Sequence, residues 1–315
     1  MPAMVTHYLF ALRVFSKLKK VGVTVANTDT AMIGAQGPDI FFFHRVLPWQ
    51  PGVSYTHEGS MLHKISPAKL FEGFRSVLNQ ETGQRNAMLG YIEGMFCHYA
   101  LDRAAHPFVY YWQEQLRKEQ PRYGKNDNQY HFRIESALDT LLLRRETGRL
   151  MRDFKLVSLL PPERDDNYAV VGRLYQPLFG RLLGTPYSEA EHIAKAVGDM
   201  RQALWLMTDR TQMRQRVLHP LEKIAGQGHA LTSLLRPAQV GDWDYANEKH
   251  ALWTNPFDEQ YTSSDSFYDL YEWAACEAAD MIVEFLDALP DGKSMQEITQ
   301  DRGFSSDLPG VYEIK

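Results

Sequence analysis

A chain of 315 residues that is 44% hydrophobic and 23% charged has the balance of a folded globular protein with a sizeable core. Its formal charge of −5 leaves no basic footprint for nonspecific nucleic-acid binding, and two cysteines are too few for a disulfide framework. No apolar run reaches the ~18–20 residues that a membrane span requires.

The opening stretch MPAMVTHYLFALRVFSKLKK places its positive charges after the apolar part and offers no small-residue cleavage site. It does not read as a signal peptide, so a soluble, cytoplasmic protein without a transmembrane segment is expected. Helical periodicity follows over roughly 7–20, 66–80, 84–105, 108–119, 128–147, 167–183, 188–209, 212–234 and 264–288. VGVTVAN at 21–27 carries the one strand signal, while 47–60 and 236–261 read as long irregular connections. Pro107 disfavours helical geometry at His106, which predicts a kink or an end there. No repeat or linker divides the chain. The expectation is one all-α, multi-helix domain over 1–315, with Cys97 and Cys276 as core thiols.

The polar residues inside these apolar helices carry the functional signal. His98, Asp102 and His106 recur at intervals of four, as do His131 and Glu135, which places each set along one helix edge. Chance alone supplies one or two histidines with an acid four residues on, so spacing proves little. Clustering is more informative: seven of the eleven histidines fall in the first 131 residues, and both His/acid pairs sit in strongly apolar helical patterns. Imidazoles and carboxylates among apolar neighbours are costly without a partner, and a metal ion is one such partner. His7, Asp39 and His63, at turns and helix edges, complete the set of candidates, with His57 competing with His63 for its place. His63 is preferred because GSMLH leads into a helix. His44, His57, His192, His219, His229 and His250 read as ordinary loop residues, and the rings of Phe41, Phe42, Phe43, Trp49 and Tyr55 as core packing rather than a choline cage.

THYLF at 6–10, GAQGPDIFFF at 34–43, GSMLHK at 59–64, HYALDRAAHP at 98–107 and HFRIE at 131–135 together resemble the bacterial zinc-dependent phospholipase C family, whose wider superfamily includes P1-type nucleases. The resemblance covers the first 140 residues, so that a metal-ligand part of about 1–147 precedes a helical part of about 148–315. It implies an all-helical metallohydrolase with two or three zinc ions. Asp39, His63, His98 and Asp102 would surround one ion and His106, His131 and Glu135 a second. Asp102 would bridge to a third with His7, although the family also uses a processed N-terminal tryptophan there, which this chain lacks.

The implied function is phosphodiester hydrolysis by a metal-activated hydroxide, with Asp39 as the residue that orients or deprotonates the water. A phospholipid headgroup is the expected substrate, and no stable nucleic-acid complex is expected. The alternatives are a P1-type nuclease or nucleotide phosphodiesterase with the same metals, and a non-catalytic helical protein with structural zinc.

Overall fold

The computed structural model describes residues 3–121, 127–185, 188–208, 240–289 and 292–305. The protein is mostly helical. In chain order the elements are α1 (Met4–Lys20), α2 (Thr28–Gly34), a 3-10 helix (Gly37–Phe43), α3 (Thr56–Leu62), α4 (Pro67–Gln80), α5 (Arg85–Glu119) and α6 (Asp127–Thr147). There follow α7 (Ala169–Leu182), α8 (Ala190–Met207), strands β1 (Trp253–Asn255) and β2 (Asp258–Ser263), α9 (Phe267–Asp287) and α10 (Met295–Thr299). The helix expected over 212–234 lies outside the described residues.

Helix α5 is the axis of the structure. It is 35 residues long and buried on nearly every side from Tyr91 to Ala105. A helix apolar all round is one surrounded by others, and here α1, α2, α4, α6, α7 and α9 all pack on it. The approach of α2 is close enough to need glycine: a Cβ on Gly94 would lie 2.0 Å from the Ala31 carbonyl oxygen. Buried apolar side chains from Met4 to Phe304 form one continuous cluster around this axis.

Two connections between distant elements fix the ends of α1 and α10 against the rest of the fold. Helix α1 has no cap of its own; Asp139 of α6 accepts the Thr6 N–H at 2.7 Å, the Val5 N–H at 3.3 Å and the Thr6 hydroxyl at 2.6 Å. A buried carboxylate there satisfies the first-turn amides and meets the positive end of the helix dipole. From the chain just after α10, Asp301 accepts the Ser66 hydroxyl at 2.5 Å and the Ala68 N–H at 3.1 Å, tying the late chain to the start of α4.

Several expectations are corrected. Pro107 sits inside α5 and neither ends it nor removes His106 from it. The proline costs the bond to the carbonyl four residues back, but Ala104, Ala105, Phe108 and Val109 are buried around it and hold the helix together. VGVTVAN forms no strand, and among the described residues none lies beside it to pair with; Glu93 of α5 instead accepts the Ala26 N–H at 2.8 Å. The described two-stranded sheet is the antiparallel β1–β2 pair, with Trp253 opposite Ser263, inside a stretch that reads as irregular. Helix α3 rises out of the expected 47–60 loop. Cys97 is a core thiol, but Cys276 is exposed, with the Lys17 ammonium 3.3 Å from its sulfur. Among the described residues no helix is long and apolar enough to cross a membrane.

Candidate metal centre

The cluster is built around Asp102. On α5, His98, Asp102 and His106 share one edge, and His98 Nε2 lies 3.3 Å from Asp102 Oδ2. Three other imidazoles approach the same carboxylate: His7 Nε2 at 3.2 Å from Oδ1, His63 Nε2 at 3.8 Å and His106 Nδ1 at 3.9 Å from Oδ2. Asp39 joins through His63, whose Nε2 is 3.2 Å from Oδ1. Beside them, Glu135 Oε1 lies 3.2 Å from His131 Nε2 and 4.0 Å from His106 Nε2. All eight sequence candidates therefore converge. Three groups bring a ligand atom from each member within 4.8 Å of the others: His7, Asp39 and His98; His63, His98 and Asp102; His106, His131 and Glu135. His57 is exposed on α3, and of the two histidines it is His63 that joins the cluster.

Local sequence explains the convergence. Gly37 has φ +54°, and a Cβ there would lie 2.3 Å from His98 Cδ2, so only glycine lets the turn lie flat on that imidazole. Pro38 starts the 3-10 helix, and buried Ile40, Phe41 and Phe43 anchor it with Asp39 facing inward. The Asp139 cap fixes the first turn of α1, which carries His7 to within 4.3 Å of the His98 ring in a stacked arrangement.

Three of the imidazoles are oriented from behind. His63 Nδ1 is 2.8 Å from the Gly59 carbonyl oxygen, His106 Nδ1 is 2.8 Å from the Phe304 carbonyl oxygen, and His131 Nδ1 is 3.0 Å from Gln113 Oε1. Carbonyl oxygens only accept, so each Nδ1 carries the proton and donates it. In the neutral ring each Nε2 then presents its lone pair to a carboxylate, an arrangement that is favourable only with a cation between them, either a proton or a metal ion. An outer acceptor that fixes the tautomer while Nε2 faces the site is the usual second layer of a histidine metal site.

Charge supports the same reading. Asp39, Asp102 and Glu135 are all buried. Burial acts to raise the pKa of each, yet His98, His106 and His7 hold Asp102 well below the usual carboxylate range. His63 and His98 are among the groups that do the same for Asp39, and His131 and His106 among those that bring Glu135 down to about 2. Among the imidazoles, burial lowers His98 and His106 in spite of Asp102, whereas Asp39 and Asp102 overcome burial and raise His63. Three buried carboxylates beside His98 and His106, whose charged forms burial disfavours, are a concentration of negative charge that cations would offset. His7 Nδ1 and His98 Nδ1 are buried with no hydrogen-bond partner among the described residues. A cavity of about 20 Å³, room for a single water or ion, is lined by His7, Asp102, His106 and Glu135. The donor set fits zinc, which takes imidazole nitrogen and carboxylate oxygen.

The surroundings are aromatic. Phe41, Phe43 and Tyr55 are buried in the core, Trp49 is exposed, and Phe42 stacks on His63 at 5.6 Å. Tyr110 lies 5.0 Å from the His131 ring and 5.4 Å from Phe257 at the β1–β2 turn. His44 is no ordinary loop residue: it is fully buried, accepts the Tyr55 N–H at 3.1 Å and stacks on that ring. Burial, with Arg45 and His192 nearby, pushes its pKa down to about 4. His250 is exposed, with Nδ1 2.9 Å from the Ser264 carbonyl oxygen, while His219 and His229 lie outside the described residues.

Sequence reasoning misses Gln113, Asp139, Tyr110 and Phe304. Asp139 and Tyr110 continue the four-residue intervals of Glu135 and His106, a signal that could have found them, whereas two of the three groups that orient imidazoles are main-chain carbonyls, which any residue supplies. Compared with known proteins, the chain matches no family model, no curated protein and no solved structure.

Proposed function

We propose that this chain is a zinc-dependent phosphodiester hydrolase, similar in fold and chemistry to the bacterial zinc-dependent phospholipases C. The observation that carries the reading is the set of imidazoles whose outer nitrogens are tied to carbonyls while their inner nitrogens face buried carboxylates around Asp102. Asp39, His63, His98 and Asp102 would hold one ion and His106, His131 and Glu135 another, with His7 and Asp102 directed to a third. Bound zinc supplies Lewis acidity, which acidifies water and neutralises charge on phosphoryl oxygens.

The chain's own groups do the rest. Asp39 is kept ionised, with His63 and His98 among the groups that do so, which leaves it able to accept a hydrogen bond from water and orient it at working pH. Phe42 and the Tyr110–Phe257 pair border the cluster and suit a quaternary ammonium or an apolar ester better than a long polyanion. The two unpaired cysteines accord with a reducing, cytoplasmic location.

The test is metal analysis with turnover. At least two zinc equivalents per chain are expected, because seven or eight ligands exceed the four of one tetrahedral site. Hydrolysis of bis-p-nitrophenyl phosphate should stop on chelation and return with zinc, and a short-chain choline or ethanolamine phospholipid should be cleaved faster than single-stranded DNA or RNA. Turnover that persists after demonstrated metal loss would overturn metal catalysis. Cleavage of polynucleotides in place of lipids would transfer the site to the nuclease alternative, and zinc without turnover to the structural one.

A further inference from the structure

Helix α10 ends at Thr299, and the chain then turns back towards the cluster through two successive residues in the left-handed region, Gln300 at φ +54° and Asp301 at φ +47°. Such backbone is unfavourable for residues with a Cβ and persists where the surroundings impose it. Here they do so at several points. Asp301 is tied to Ser66 and Ala68 of α4. Arg103 of α5, buried and paired with Glu277 of α9, donates to the Thr299 carbonyl at 3.0 Å. The Tyr99 hydroxyl donates to the Arg302 carbonyl at 2.6 Å.

The product of this tethering is the placement of Phe304. Its side chain is 1% exposed, and its ring lies 5.2 Å from His63, 6.1 Å from His98 and 5.3 Å from Tyr99, edge-on or tilted to each. Its carbonyl oxygen is 2.8 Å from His106 Nδ1. One residue thus shields two imidazoles of one ligand group with its ring and orients an imidazole of another with its main chain. Arg103 and Tyr99 stand on the same helix as His98 and His106, so the anchors and the ligands are fixed to one rigid element.

We propose that Thr299–Phe304 is a working part of the metal centre and that Phe304 is its positioning residue, setting His106 through its carbonyl and shielding His63 and His98 with its ring. This rests on the proposed metal site. An acceptor behind a ligating histidine fixes the tautomer and raises ligand basicity, and removing such a partner costs roughly ten- to a hundredfold in metal affinity. The carbonyl is no property of the phenylalanine type. The ring is what holds the carbonyl in place, because its buried contacts fix the backbone at 304.

The full-length Phe304→Ala protein is compared with wild type by two readouts. In the metal-free state, long-range ¹H–¹⁵N NMR correlations report which nitrogen of His106 carries the proton. Wild type should show Nδ1–H, and Phe304→Ala a mixture of tautomers. In cobalt(II) titrations followed by visible absorption, Phe304→Ala should weaken one binding step at least tenfold and change its spectrum, while Phe304→Leu, which keeps the buried bulk, restores both. A folded Phe304→Ala protein with the wild-type tautomer and wild-type cobalt constants would overturn the proposal. Should Phe304→Ala not fold, Arg103→Lys, which loosens the hold on Thr299, is expected to move the same step in the same direction, and an unchanged constant there overturns it equally. A wild type that takes up neither cobalt nor zinc defeats the metal reading instead, while the tautomer measurement still decides whether Phe304 sets His106.

Discussion

Asp39 and Glu135 stand at the same distance, 3.2 Å, from their histidines, but they belong to different parts of the cluster. Asp39 comes from the 3-10 helix and faces groups shared with Asp102, so other ligands remain when its charge is removed. Glu135, like Asp39, is the one carboxylate of a three-member group, but of its two histidines it is His106 that also approaches Asp102, and only at 3.9 Å. Asp39→Asn should therefore keep most of the metal and the fold while losing roughly a hundredfold or more in turnover, since an amide oxygen binds but cannot take a proton. Glu135→Ala should lose metal and melt at a lower temperature. Zinc content, melting temperature and phosphodiesterase rate on both proteins decide this, and undiminished turnover in Asp39→Asn would remove its role. At this scale the residues of the cluster are legible in the sequence, because imidazoles and carboxylates are rare in apolar helices and their four-residue spacing survives folding. The acceptors behind them are not, because Gly59 and Phe304 act through atoms common to every residue.

Helices long enough to show several apolar turns, α1, α4 and α6 to α9, are legible from periodicity to within a few residues, whereas α5 reads as two helices broken at Pro107. Short elements are not legible, since α2, α3, α10 and the β1–β2 pair span too few residues to show a period, and their determinants are single local contacts such as the Asn27 cap of α2 and the Ser294–Glu297 capping box of α10. VGVTVAN shows the reverse error: a β-branched run that stays a loop, its Val21, Gly22 and Val23 N–H groups donating back to α1 and that of Ala26 to a side chain of α5. That side chain is Glu93, 1% exposed, and burial pushes its pKa up to about 7 against the partial opposition of the Ala26 N–H. A carboxyl group raised in the folded state binds more protons folded than unfolded. Its contribution is thus complete below the unfolded pKa near 4.5 and is lost as pH rises through about 7. Glu93→Gln, which keeps an oxygen for the Ala26 N–H, should be more stable than wild type above neutrality by about 3 kcal/mol, and should lose that advantage below pH ~4.5. Denaturant unfolding of both proteins from pH 4 to 8 checks it; a difference constant across that range would show that Glu93 does not titrate between folded and unfolded states.

The whole molecule joins α1, α5, α6 and the segment after α10 at one cluster, so metal should stabilise all of it rather than one helix. Each ion present at a hundredfold excess over its dissociation constant is worth about 2.7 kcal/mol. Chelation should therefore lower the melting temperature by several degrees in a single cooperative transition, and zinc should restore it. A melting temperature indifferent to chelator, with metal removal verified, would show that the fold does not depend on the ions. The contact between the Phe304 carbonyl and His106 also bears on biosynthesis. Chains emerge at about 5–20 residues per second, N-terminal part first, and about 170 residues separate Glu135 from Phe304. For on the order of ten seconds of translation, every side chain of the cluster has been made while His106 still lacks the oxygen that sets its tautomer. Under the proposed metal reading, nascent chains in that interval have an unfinished coordination site, and faithful loading of the centre is expected only after synthesis has passed residue 304.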